Sequence, residues 1–152
     1  MKQLIQNSSL PPAAVLAAVN PEPCTCIIFS SYVQAGFPSP AESYVDNALD
    51  LNQFLVPNPP STFFVRVSGD SMNKAGLDDG DLLIVDRSLT PKNNDIVIMR
   101  INDEFTVKRF NKQGDKFFLT PDSFNPIYKP VHPKFGQKWE IIGVVTYSIK
   151  EH

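Results

Sequence analysis

The chemistry open to this chain centres on a serine-bearing turn and a lysine. The turn, Ser68-Gly69-Asp70-Ser71-Met72, follows an extended apolar run at residues 62–67, and a glycine-containing turn can present a serine hydroxyl at a surface. A hydroxyl is a poor nucleophile until a base takes its proton. Histidine is the usual base, but His132 sits in a loop between prolines and His152 is the last residue, so neither is placed for a fixed triad. Lys108, on a strand-like run, is the remaining base, and a serine–lysine pair is a known variant of the triad. A free lysine has a pKa near ~10.4, so fewer than about one in a thousand is neutral at pH 7. To act as a base its pKa must fall by about two to three, and burial is the available cause.

The run at 104–110 decides where Lys108 points. Period-two alternation puts Phe105 and Val107 on one face and Thr106 and Lys108 on the other. With Phe105 and Val107 turned to a core, Lys108 points across the sheet, toward a cleft that the serine turn can share. Taken alone, a serine in a glycine turn is usually a turn residue, and an outward strand lysine is usually a solvated charge.

Further short runs rich in Val, Ile, Phe and Thr lie at 62–67, 81–85, 95–101, 116–120 and 139–148. Turn signals at Asp79-Gly80, Asn102-Asp103 and Gln113-Gly114 separate them. Many short strands without intervening helices predict a mainly β body, a folded-over antiparallel sheet or partial barrel. Residues 1–35 differ in character. Their charges are Lys2 and Glu22, prolines stand at 11, 12, 21 and 23, and no glycine precedes Gly36. This reads as a flexible arm in which residues 13–19 form two helical turns, too short to stand alone. Residues 41–54 predict a helix, with Tyr44, Val45, Ala48, Leu49 and Leu51 near helical spacing and Pro57, Pro59 and Pro60 ending it.

At 152 residues the chain has the length of one domain with an arm. Its 14 basic and 16 acidic residues give a net charge of −2, which supplies no electrostatic basis for tight nucleic-acid binding. No apolar stretch approaches the roughly 18–20 residues that span a bilayer, so no membrane role and a cytoplasmic address are expected. Cys24 and Cys26 are the only cysteines. They make half a zinc site with no further ligand at normal spacing, and a disulfide between them would close a small, strained ring. They are expected to be reduced and chemically idle, and no metal or other cofactor is expected. Asp78, Asp79 and Asp81 lack the pattern of a calcium loop and read as a turn. Asn73 stands where a hydrolase elbow would carry its second glycine.

Four segments in order resemble the self-cleaving domain of the UmuD and LexA family. They are Gln34-Ala35-Gly36-Phe37-Pro38-Ser39-Pro40-Ala41, the turn 68–72, the run Asp79-Gly80-Asp81-Leu82-Leu83-Ile84-Val85-Asp86, and Glu104-Phe105-Thr106-Val107-Lys108-Arg109. The resemblance covers roughly residues 33–147. It implies Ser71 as nucleophile and Lys108 as general base, 37 positions apart as in the family. It implies cleavage of the Ala35–Gly36 bond, with backbone amides near Asp70 and Ser71 as oxyanion donors. Residues 1–35 would then be an arm removed by self-cleavage, and 36–152 the peptidase and dimerisation domain. The arm around residues 32–37 is expected to cover Lys108 as it docks its own bond.

Within the family, the segment 37–40 resembles the UmuD branch, accessory subunits of error-prone translesion polymerases, although an arm of 35 residues is longer than is familiar there. That branch implies a homodimer, cleavage stimulated by the RecA nucleoprotein filament in the SOS response to DNA damage, and assembly with a UmuC-like Y-family DNA polymerase. Two rival readings are a catalytically silent dimeric interaction module and a LexA-like transcriptional repressor. The second lacks the helix pair of a helix-turn-helix.

Overall fold

The short runs rich in Val, Ile, Phe and Thr do form strands in the computed structural model, which describes residues 10–12, 14–29, 35–36 and 45–152. In chain order the strands are β1 (Val15–Leu16), β2 (Thr25–Phe29), β3 (Val45–Asp50), β4 (Thr62–Arg66), β5 (Leu82–Asp86), β6 (Ile96–Ile101), β7 (Glu104–Gln113), β8 (Lys116–Thr120) and β9 (Trp139–Ile149). Among the described residues one α-helix, α1 (Leu51–Leu55), follows β3 directly. Seven strands make one antiparallel sheet in the order β1-β4-β5-β9-β6-β7-β8, which does not close on itself, and β2 pairs with β3 separately. The mainly β body is as expected.

Two expectations for the N-terminal third are corrected. Residues 14–19 hold no helix. Val15 and Leu16 pair instead with Phe64 and Phe63, because the edge of β4 offers backbone groups that a two-turn helix could not match in stability. The helix expected at 41–54 is a strand followed by one short helix. Thr25 pairs with Asp50, Cys26 with Leu49 and Ile27 with Ala48, so a distant partner overrides the local spacing. Asp50 then turns the chain into α1, its side chain accepting from the Asn52 amide at 3.0 Å. Residues 41–44 lie outside those described.

Two apolar clusters fix the sheet. Phe63, Val67, Met72, Leu77, Leu83, Val85, Ile98 and Ile142 form the first, with Phe105 and Val107 packed against it. Val97, Met99, Phe110, Leu119 and Val144 form the second. Strand β9 serves both because its register against β6 slips between Ile98 and Met99, where Gly143 and Ile141 are the successive partners. Ile142, skipped by the ladder, drops into the first cluster while Val144 faces the second.

Gly143 sits beside that slip against the end of β5. A Cβ there would stand 2.7 Å from Val85 Cγ1 and 3.0 Å from the Asp86 carbonyl oxygen. Backbone cannot yield as a side-chain tip can, so Gly143→Ala is expected to lower unfolding free energy by about 1–3 kcal/mol. The shift in urea midpoint at constant slope measures it.

Candidate active site

Strand β4 ends in a turn that the sequence could build only with glycine. Gly69 has φ +91°, a conformation that a Cβ opposes, and its amide donates to Asp79 Oδ1 at 2.7 Å. Val67 is tied across the turn, its amide to the Asp81 carbonyl at 2.9 Å and its carbonyl to the Gly80 amide at 3.0 Å. The acidic cluster therefore braces the turn. Asp78 and Asp81 also pair with Lys150 at 2.6 and 2.7 Å, and the Lys150 bond holds Asp81 below the usual carboxylate range. Among the described residues no group of His, Cys, Asp and Glu could hold a metal ion. After the turn, Met72 is buried at 1% exposure as the anchor of a short 3-10 turn, Asn73–Ala75. The anchored Met72 leaves its neighbour Ser71 half-buried at the wall of a groove.

Lys108 comes to this groove from β7. Phe105 and Val107 pack on the first cluster, as the alternation required, and Lys108 is half-buried with its Nζ 2.7 Å from Ser71 Oγ. The same nitrogen lies 3.1 Å from Thr106 Oγ1 and 3.0 Å from the Val107 carbonyl oxygen. As an ammonium it donates to all three oxygens. As a neutral amine its two N–H groups serve Thr106 and Val107, and its lone pair faces the Ser71 hydroxyl. Either protonation state is satisfied, so a proton can pass between the two groups without rearrangement. Burial lowers the Lys108 pKa from the ordinary lysine value.

A second loop, absent from the sequence reading, splints the serine turn. Asp122 donates its amide to the Ser71 carbonyl at 3.0 Å and accepts the Lys74 amide on its own carbonyl at 2.9 Å. Its carboxylate takes Arg109 Nε at 2.6 Å, so consecutive residues of β7 grip Ser71 twice, Lys108 at the hydroxyl and Arg109 through Asp122. Ser123 Oγ donates to the Asp70 carbonyl at 2.8 Å, and the Asn73 side chain accepts the Phe124 amide at 3.0 Å. The Tyr128 hydroxyl donates to the Asp70 carboxylate, a bond that lowers the Asp70 pKa and raises that of Tyr128. In sequence these residues stand some 50 positions from the turn and look like ordinary loop chemistry after Pro121. No local signal marks them.

The remaining predicted positions are dispersed. Ala35 and Gly36 are exposed, a Cβ on Gly36 would meet nothing within 4 Å, and neither lines the groove at Ser71. Residues 30–34 and 37–40, which include the rest of the expected cleavage segment, lie outside those described. His132 is exposed and stacks on Phe118 with ring centroids 4.9 Å apart. Cys24 and Cys26 are exposed and free.

Comparison with known proteins places these features in company. A family model described as Peptidase S24-like matches residues 27–146. The chain is 46% identical over 122 residues to Protein ImpA of Escherichia coli, covering 80% of this chain and 81% of that protein. It is 42% identical over 137 residues to Protein SamA of Salmonella typhimurium, covering 89% and 94%. With Protein MucA of Escherichia coli it shares 42% identity over 120 residues, covering 79% and 81%.

Proposed function

We propose, given that the chain belongs to the Peptidase S24-like family and is of the UmuD type, that it is a serine–lysine peptidase whose substrate is its own Ala35–Gly36 bond. The observation that carries this reading is the 2.7 Å approach of Lys108 Nζ to Ser71 Oγ on a half-buried lysine whose pKa burial lowers. Neutral Lys108 takes the Ser71 proton as Oγ adds to the Ala35 carbonyl carbon. The backbone amides near Asp70 and Ser71 are the oxyanion donors in this scheme. The Lys108 ammonium then returns the proton to the departing Gly36 nitrogen, leaving an ester between Ala35 and Ser71. Water, deprotonated by Lys108, adds to the ester carbonyl, Ser71 Oγ leaves and takes its proton back from Lys108, and the covalent link between 1–35 and 36–152 is gone.

The resemblance extends the proposal to a cytoplasmic homodimer in which the RecA filament stimulates cleavage in the SOS response. The processed dimer would serve a UmuC-like Y-family DNA polymerase in translesion synthesis. Among the described residues no helix is long and apolar enough to cross a membrane.

Intact-mass spectrometry during incubation with RecA assembled on single-stranded DNA tests the reading. The expected product begins at Gly36, and Gly36→Glu is expected to stop its appearance, because a carboxylate beside the scissile bond would have to shed its water against the apolar wall of Val65, Val67, Met72, Phe105 and Val107. A new N-terminus elsewhere would displace the proposed bond. An unchanged mass after prolonged exposure to active filament would favour the silent interaction module.

A further inference from the structure

The groove at Ser71 is built partly from the arm. Its walls are Val65, Val67, Met72, Phe105 and Val107 of the body, and Pro11 and Pro12 of the arm complete it. Leu10 is only 8% exposed and joins the cluster of Val67, Met72 and Leu77, and Pro11 is buried beside it. The chain then turns, the Ala14 amide donating to the Pro11 carbonyl at 3.1 Å. It continues as β1 antiparallel to β4, with the Ala17 amide bonded to the Thr62 carbonyl at 3.0 Å. Since β4 runs directly into the serine turn, this antiparallel segment brings its N-terminal end to the groove that Ser71 lines. A peptide substrate added to the same edge strand would follow the same track.

The arm segment at the groove is chemically unsuited to cleavage. The bonds at Leu10–Pro11 and Pro11–Pro12 are tertiary amides whose nitrogens belong to rings and carry no hydrogen. The expected cleavage segment presents a similar pattern, a large apolar residue followed by proline, at Phe37-Pro38. We propose that this groove is a docking site for apolar, proline-containing segments, and that Leu10-Pro11-Pro12 is a pseudosubstrate that holds it against the Ala35–Gly36 segment. The proposal rests on the self-cleavage reading for its consequence and on the docked leucine and prolines for its geometry. Activation then requires the N-terminal segment to leave the groove before the cleavable one enters.

Two full-length variants release the segment by different means. Leu10→Asp places a charge in the apolar cluster, and Ala17→Pro removes the amide that bonds Thr62 without touching any core. Each is read out twice, by self-cleavage without RecA and by the rate at which Ser71 reacts with a fluorophosphonate probe, with Ser71→Ala as the blank. Exposure of one buried leucine shifts such a docking equilibrium by about ten- to a hundredfold, so both rates are expected to rise by about that factor. A synthetic peptide spanning residues 8–18 is expected to slow probe labelling of Leu10→Asp. Faster labelling with no cleavage in any variant would keep the pseudosubstrate and remove the self-cleavage reading. Cleavage and labelling at wild-type rates in both variants would overturn the pseudosubstrate and leave self-cleavage standing.

Discussion

Ser71→Ala is expected to reduce self-cleavage by at least about a thousandfold, to the point where no product appears during incubation with RecA filament. The substitution removes the only atom of Ser71 that faces Lys108 and spares what holds the turn. The Asp122 amide bonds the Ser71 carbonyl, Gly69 keeps its left-handed conformation, and Met72 stays anchored in the core. Lys108 keeps Thr106 and the Val107 carbonyl as partners. Melting temperature and far-ultraviolet circular dichroism are therefore expected to match the wild type. Cleavage at the wild-type rate in this folded variant would end the mechanism.

The second large effect concerns the lysine. Burial penalises the ammonium, so the folded-state pKa lies below the ordinary value of 10.5. Below that lowered pKa the neutral fraction grows about tenfold per pH unit, and RecA-independent cleavage is expected to rise with the same slope before levelling off short of 10.5. Stability follows the same sign. Between the two pKa values the unfolded chain binds a proton that the folded chain does not, so stability increases with pH there, and below the folded pKa the full penalty is present. Lys108→Met is accordingly expected to raise the denaturation midpoint at pH 7, with the difference from wild type closing above pH 10.5. Lys108→Arg keeps a cation that cannot serve as base, since guanidinium stays protonated to a pKa above about 12. It is expected to be inactive at pH 7 with or without filament. A flat cleavage profile from about pH 7 to 10, or full activity of Lys108→Arg, would exclude lysine as the base.

How much of this could be read in the sequence depended on the range of the interactions involved. Strand positions 104–110 declared themselves because Phe105 and Val107 alternate with Thr106 and Lys108, and that two-residue rhythm alone separates core from groove. The turn at 68–72 was legible because glycine is the residue that tolerates φ near +91°. The strand at 45–50 was not, since its spacing is equally helical and its partner at 25–29 lies across a long connection. Asp122, Ser123 and Tyr128 were invisible for the same reason, being ordinary loop residues until folding brings them to Ser71. Leu10 was hidden differently. An apolar residue among prolines looks like a linker, and only the position of the groove makes it a contact.

Strands β2 and β3 have a bearing on what a cut chain would be. The Ala35–Gly36 bond lies in the connection between them, so hydrolysis there severs the covalent link while leaving Thr25–Asp50, Cys26–Leu49 and Ile27–Ala48 paired. The Asp50 carboxylate still holds the Cys24 amide at 3.2 Å. The immediate product is then a nicked, two-piece protein held by the same ladder as its precursor. Departure of the N-terminal piece becomes a separate, first-order event with its own lifetime, and any surface beneath that piece opens on the clock of dissociation rather than of hydrolysis.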